Sequence, residues 1–376
     1  MSPEKGSGPS AYSELLSEII ALHPSKYVHI GGDEAYLLGR CPQCKDYVHK
    51  HGKSALFVDH INMITELITE KGKVPVLWAD IIMKYPEAID RLPDQSVLVN
   101  WNYGWGLNHF GDHSNIVNSG FELWGALSLR SWPDNYFLIS WRTHFKNLED
   151  FIPLMREHGY EGVVMTSWST SGLYTFLRET KYHVVEMYPI RHVYPLAGLK
   201  MSVDAYTEAI NAKQFDAHEF VSSYARENFG LNPEDAETFW KGLNVPVETI
   251  EGHQTSRKRS LSELAAETRA FSDFLNRVKV NSNKKEFAYY RLLYDIRQYY
   301  IDGKLILVDS ENMDYHPQSI QKQLTKLDAL KSTGKKLDRR FKKMYKGSLY
   351  PALITEENYI RNREMEVLYH KLNRSK

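Results

Sequence analysis

The residues most able to do chemistry lie close together near the start of the chain, in Lys26-Tyr-Val-His-Ile-Gly-Gly-Asp-Glu-Ala35. A short apolar run ends in two glycines, which let a backbone turn sharply and approach a ligand closely. Two adjacent carboxylates, Asp33 and Glu34, follow. Inside a regular strand, neighbouring side chains point to opposite faces. Where the strand breaks into a loop, both can reach one cavity. Such a pair can divide its work, one carboxylate staying ionised while its neighbour is held protonated by a drier setting. That is acid–base chemistry on a polar bond. With His29 added, the same three side chains could instead ligate a metal in a metal-dependent hydrolase. Asp80, in Trp78-Ala-Asp80, could bond a sugar hydroxyl or cap a loop.

A second group of reactive types is Cys41-Pro-Gln-Cys44 followed by His49 and His51. Those are four zinc-ligand types in a short stretch. Two histidines spaced by two do not share a helical face, however, so the cysteines read as reduced thiols and no metal is expected. Two cysteines also cannot build a disulfide framework.

Aromatic residues are concentrated around this chemistry. Of 8 Trp, seven (78, 101, 105, 124, 132, 141 and 168) fall between residues 78 and 168, and only Trp240 lies outside. A core needs apolar volume but has no particular need of tryptophan.

The positioning elements can be read from five short apolar segments: Tyr27–Ile30, Val74–Trp78, Val97–Trp101, Phe121–Leu127 and Gly162–Trp168. Each is β-branched or aromatic and nearly continuous, the pattern of strands buried on both faces of a parallel sheet. Helical stripes lie between them, Phe57 to Ile68 and Phe145 to Met155, which argues for βαβ units. The segments run into Gly31-Gly-Asp-Glu34, Trp78-Ala-Asp80, Trp101-Asn-Tyr103, Trp124-Gly-Ala126 and Trp168-Ser-Thr170. The C-terminal strand ends carry the active site in a (β/α)₈ barrel. No glycine-rich phosphate loop follows any of them, which argues against a nucleotide fold. Ala11–His23 reads as an amphipathic helix. From about residue 199 the pattern turns helical: Val203–Phe215, Ala217–Phe229, then long helical periodicity over 257–303 and 317–375. The expected domains are 1–198, α/β and catalytic, and 199–376, α-helical.

Charge separates the two halves. From residue 254 onward there are 26 Lys and Arg against 15 Asp and Glu, a balance of +11, so residues 1–253 carry −11 and the whole chain is neutral. The zero balance argues against nucleic acid or an anionic membrane as an obligatory partner. No run approaches the ~18 apolar residues needed to span a bilayer. No signal-peptide pattern opens the chain, so a cytoplasmic location is expected.

The stretch His29-Ile-Gly-Gly-Asp-Glu-Ala35 resembles the signature of family 20 glycoside hydrolases, the β-N-acetylhexosaminidases. With Leu37-Leu-Gly-Arg-Cys-Pro-Gln-Cys44 downstream, the similarity is greatest to the hexosaminidase D-like branch, and it extends over roughly residues 11–198. The resemblance implies a retaining exo-enzyme that removes terminal β-linked N-acetylglucosamine or N-acetylgalactosamine without a cofactor. The substrate's own acetamido carbonyl would be the nucleophile, the arrangement that departs from the usual two-carboxylate scheme. It makes Glu34 the general acid and then base, and Asp33 the group that orients the acetamido N–H and stabilises the oxazolinium cation. Trp78, Trp101 and Trp168 would wall the sugar. Tyr136, with Tyr103 second, would bond the acetamido oxygen. Two features depart from the family: Trp168-Ser-Thr170 stands where a Trp-x-Glu carboxylate is usual, and no counterpart of the family's arginine near the first strand is present. The motif usually follows three earlier strands, so the expectation is a partial barrel, strands four to eight, N-terminally truncated, poorly active on its own and with open strand edges that favour oligomers. A non-catalytic partial barrel that only binds N-acetyl sugars is the competing reading.

Overall fold

Five strands, β1 (Tyr27–His29), β2 (Val74–Trp78), β3 (Val97–Trp101), β4 (Glu122–Ser128) and β5 (Gly162–Thr166), make one sheet in the order β1-β2-β3-β4-β5. Every pairing is parallel. The structure, a computed structural model, describes residues 8–35, 37–131, 139–168, 196–245, 248, 250–251, 254–255 and 257–375. The chain divides into two units, residues 1–128 with 150–166, and residues 129–149 with 167–376.

The first unit is an α/β partial barrel, as the alternating strand and helix patterns predict. Consecutive parallel strands need long crossovers, and helices supply them. The helices are α1 (Gly8–Leu22), α2 (Pro42–His51), α3 (Lys53–Glu70), α4 (Asp80–Lys84) and α5 (Ser114–Val117), with a 3₁₀ turn at Pro86–Arg91. The last helix of the unit is the end of α6 (Trp141–Glu157), from Asp150 onward.

Strand alternation sorts the side chains. Val76, Val97, Val99 and Ala126 form one cluster, packed by Tyr27, Trp78, Trp101 and Trp124. Leu77, Leu98 and Leu123 point the other way and join Phe57, Val58 and Ile61 of α3. Trp78 and Trp101 therefore share one face of the sheet, at its C-terminal end, while the aliphatic core lies beneath the opposite face. On that lower side Asn100 donates to the Tyr160 hydroxyl (2.9 Å), which also bonds His113 Nε2 (2.8 Å). Burial pushes the Tyr160 hydroxyl up to about 12, so it stays a neutral link in this network.

The central strands β2 and β3 are buried or nearly so along their length, as expected. β1 and β5 are more open, and Met165 of β5 is 44% exposed. Among the described residues each of these two strands is paired on one side only.

The second unit is helical, with α7 (Leu196–Asn211), α8 (Ala217–Phe229), α9 (Pro233–Leu243), α10 (Leu261–Arg277), α11 (Lys284–Glu311), α12 (Pro317–Tyr345) and α13 (Pro351–Arg374). A two-residue hairpin, β6 (Ile250–Glu251) and β7 (Gln254–Thr255), interrupts them. The boundaries have local causes. Asp216, Asn232 and Ser260 accept from backbone N–H groups three residues on, and Ser260 with Glu263 forms a reciprocal capping box. Gly230 ends α8 in the left-handed conformation. Residues 312–316 separate α11 from α12, with His316 capping α12. The two long periodic stretches are each two helices, divided at residues 278–283 and 346–350.

Candidate active site

The site is built on the turn that follows β1. The Ile30 N–H bonds the Val76 carbonyl (2.8 Å) and Gly31 gives its carbonyl to Trp78 N–H (3.0 Å), so pairing with β2 continues until the glycines. There the backbone swings into positive φ: Gly31 at 76°, Gly32 at 94° and Glu34 at 48°. A side chain on Gly32 would sit over Ile61, Phe57 and Leu77, so the turn also lies directly on the core. Glu34 is not a glycine, and a left-handed conformation costs such a residue roughly 1–2 kcal/mol. Glu34 is exposed, and Asp33 beside it is half-buried.

Asp80 supports this turn. It is the first residue of α4, 5% exposed. Its Oδ2 accepts the Glu34 backbone N–H at 3.1 Å, and its Oδ1 accepts the Trp101 indole N–H at 3.3 Å. Of the two roles open to it from its place in the sequence, sugar hydroxyl or loop, the structure shows the loop contact. Burial holds the Asp80 carboxyl above the usual aspartate range, and the charge of Asp33 pushes the same way, against the two hydrogen bonds.

His29 packs its ring on Trp78, with centroids 4.5 Å apart, and its Nδ1 accepts the Gly31 N–H at 3.0 Å. His29 is exposed as a residue. Desolvation on its packed side lowers its affinity for a proton, opposed by the charge of Asp33.

Trp101 is the centre of an aromatic group. Its ring centroid lies 4.4 Å from Phe110, 5.2 Å from Tyr103 and 5.3 Å from Trp105. Asn102 holds the connecting loop: its Oδ1 accepts from Gly104 N–H (2.9 Å) and Trp105 N–H (3.2 Å), and its amide donates to the Trp105 carbonyl (2.8 Å). Tyr103 is thus part of the wall. The sequence points to neither Asn102 nor Phe110 as part of the wall: the Trp-Asn-Tyr-Gly-Trp run marks a turn at Asn102, and Phe110 lies outside it.

The structure therefore brings Asp33, Glu34, Trp78 and Trp101 to one end of one sheet. Trp124 is placed differently from its sequence expectation. Strand β4 continues to Ser128, so Trp124 is mid-strand, level with Val99 rather than Trp101. There it meets Tyr27 edge-on (4.8 Å) and donates to Glu122 (2.8 Å). Trp168 lies two residues past β5, is 49% exposed, and donates its backbone N–H to the Arg130 carbonyl (2.7 Å). It falls in the second unit. Tyr136 lies outside the described residues.

Cys41 caps α2, its sulfur accepting the Cys44 N–H at 3.1 Å, and Cys44 is buried. Among the described residues no group of three or more His, Cys, Asp or Glu side chains is gathered as a metal site, and no helix is long and apolar enough to cross a membrane.

Solved structures similar to this chain include the β-N-acetylhexosaminidase of Bacteroides fragilis (19% identity, TM-score 0.33, 44% of this chain and 35% of that one). Others are an exo-β-N-acetylglucosaminidase of Vibrio harveyi in complex with N-acetylglucosamine (15%, 0.36, 62% and 35%) and the Flavobacterium johnsoniae chitobiase (13%, 0.38, 97% and 53%). The chain thus spans between about a third and about a half of the length of these proteins. No curated protein matches it. Residues 2–125 match the model of the glycosyl hydrolase family 20 catalytic domain, a stretch that includes Asp33, Glu34, Trp78, Asp80 and Trp101 and stops short of Tyr136 and Trp168.

Proposed function

We propose that this chain carries the acid–base centre of a retaining exo-β-N-acetylhexosaminidase acting on terminal β-linked N-acetylglucosamine or N-acetylgalactosamine of a glycan or glycoconjugate. β1 to β5 would stand for strands four to eight of such a barrel, residues 1–198 for its catalytic part, and the hexosaminidase D-like branch for its nearest relatives. One observation carries the reading: the adjacent carboxylates leave β1 on a positive-φ turn, at the sheet end where Trp78 and Trp101 stand, inside the stretch that matches the family 20 catalytic domain.

The mechanism follows from charge development. The acetamido carbonyl oxygen attacks the anomeric carbon while Glu34 protonates the departing glycosidic oxygen. The product of that step is a cyclic oxazolinium cation. A fixed anion at Asp33, accepting the acetamido N–H, strengthens its hold as positive charge grows, which is the condition for lowering a barrier. Glu34, now ionised, takes a proton from water as it opens the ring with a second inversion, so configuration is retained overall. Indole faces suit the apolar C–H face of a sugar and an acetamido methyl. Every group needed is an amino-acid side chain or the substrate, so no cofactor enters. Trp168 and Tyr136 remain proposed sugar contacts on family resemblance.

The test is calorimetric. A thiazoline analogue of the oxazolinium should bind ~10²-fold or more tightly than N-acetylglucosamine. Equal affinities would show a site that holds the sugar without favouring the cation, the behaviour of a binding protein.

A further inference from the structure

One buried carboxylate touches both halves of the proposed site. Asp80 lies beneath it, at the start of α4, and spends one oxygen on the backbone N–H of Glu34 and the other on the indole of Trp101. These partners come from different connections, the turn after β1 and the end of β3, and are 46 and 21 residues away in sequence.

We infer that Asp80 is a positioning residue that sets the proposed acid and the aromatic wall in register, by clamping the left-handed turn at Glu34 and the ring plane of Trp101 with a single carboxylate. The inference rests on the reading of Glu34 and Trp101 given above. Three observations support it. Glu34 adopts a positive φ without being glycine, and such a conformation persists where neighbours hold it. Both donors are N–H groups, so two acceptors are required. An ionised carboxylate offers two, whereas an amide or a protonated acid would turn a donor toward one of them. Finally, Asp80 is nearly solvent-free, so water cannot stand in for either partner.

The clamp therefore depends on Asp80 being ionised. Burial opposes ionisation, and the nearby carboxylate of Asp33 opposes it further. His29, whose ring neighbours Asp33, is the other titratable group tied to this turn. As pH falls, Asp80 takes up a proton above the ordinary aspartate range and both bonds cannot survive together.

The experiment uses the full chain, labelled with ¹⁵N at glutamate and tryptophan. The Glu34 amide and Trp101 indole protons should titrate with one shared midpoint, higher than an ordinary aspartate's, and Asp33→Asn should lower that midpoint while keeping it shared. Separate midpoints, or resonances that ignore pH, would overturn the inference without any variant of Asp80 having to fold. The second arm is kinetic. Asp80→Asn should slow hydrolysis of N-acetyl-β-glucosaminides with poor leaving groups by ~10²-fold, the scale of misplacing a reacting group. It should slow an activated aryl glycoside far less, because that leaving oxygen hardly needs the proton from Glu34. Equal losses on both would reduce Asp80 to a structural residue and overturn the claim. A wild-type chain without turnover would leave the proposed function to be decided by the thiazoline affinity and the Asp80 clamp by the two resonances.

Discussion

At the scale of single residues, the proposed chemistry turns on Glu34 and the turn that carries it. Glu34→Gln keeps the shape and removes the proton, so it should cost ~10²–10⁴-fold on substrates with poor leaving groups and much less on activated aryl glycosides. Steady-state kinetics on a leaving-group series would show this, and a uniform loss would remove Glu34 from the acid role. Gly32→Ala tests the turn itself. Its φ of 94° is unfavourable for any Cβ, while the added methyl would meet Ile61 and Phe57 at ordinary contact distance, so the cost lies in the backbone. A loss of roughly 1–2 kcal/mol in chemical denaturation is expected. Asp80 adds a pH signature. A carboxyl whose folded-state proton affinity is raised by burial contributes most to stability below its unfolded pKa, and that contribution is lost as pH rises through the folded one. Asp80→Asn should therefore gain stability relative to wild type as pH rises from about 4 toward neutrality, even while activity falls. A Tm difference independent of pH would contradict the buried, titrating carboxylate. The paired acids were legible in the sequence because glycines and carboxylates are adjacent there. The part played by Asp80 was not, because a hydrogen bond spanning 46 residues leaves no trace in local spacing.

At the scale of elements, the strands were readable because each is a short apolar run, although only the central ones are buried on both faces. Their ends were less so. Trp124 resembles Trp78 and Trp101 in sequence, but the pairing of β4 with both β3 and β5 continues past it, which puts it mid-strand rather than at the strand end. In the helical unit, continuous periodicity over 257–303 hides the break before α11, since Asn281-Ser-Asn283 is polar without being helix-forbidding. Packing between these helices is close. A methyl on Gly242 of α9 would fall 2.0 Å from the ring of Phe271 on α10, a ring that is itself buried. Gly242→Ala should cost about 1–3 kcal/mol by overpacking. Thermal unfolding followed by circular dichroism would register it as a lower Tm, and an unchanged Tm would mean that α9 and α10 can move apart freely.

At the scale of the whole molecule, the charge asymmetry counted at residue 254 falls inside the helical unit, whereas the passage from strands to helices was visible from the loss of β pattern. The inclusion of residues 129–149 in the second unit was not, because membership in a unit is a property of contacts far along the chain. The strand edges make a prediction at this scale. β1 and β5 are paired on one side only among the described residues, and an apolar edge is a template for another chain. Light scattering should show the chain associating as its concentration rises, and Met165→Lys on β5 should reduce that association. Unchanged association would place the contact elsewhere.

The central claim is that an acetamido sugar is hydrolysed with its own acetamido group as nucleophile, under Asp33 and Glu34. The most direct measurement compares release of para-nitrophenol by this chain from the N-acetyl-β-glucosaminide and from the plain β-glucoside. Turnover of the first alone, lowered ~10²-fold or more by Asp33→Asn on the scale of losing one preorganised electrostatic contact, is the predicted result. Comparable hydrolysis of the glucoside, or turnover indifferent to Asp33, would contradict it.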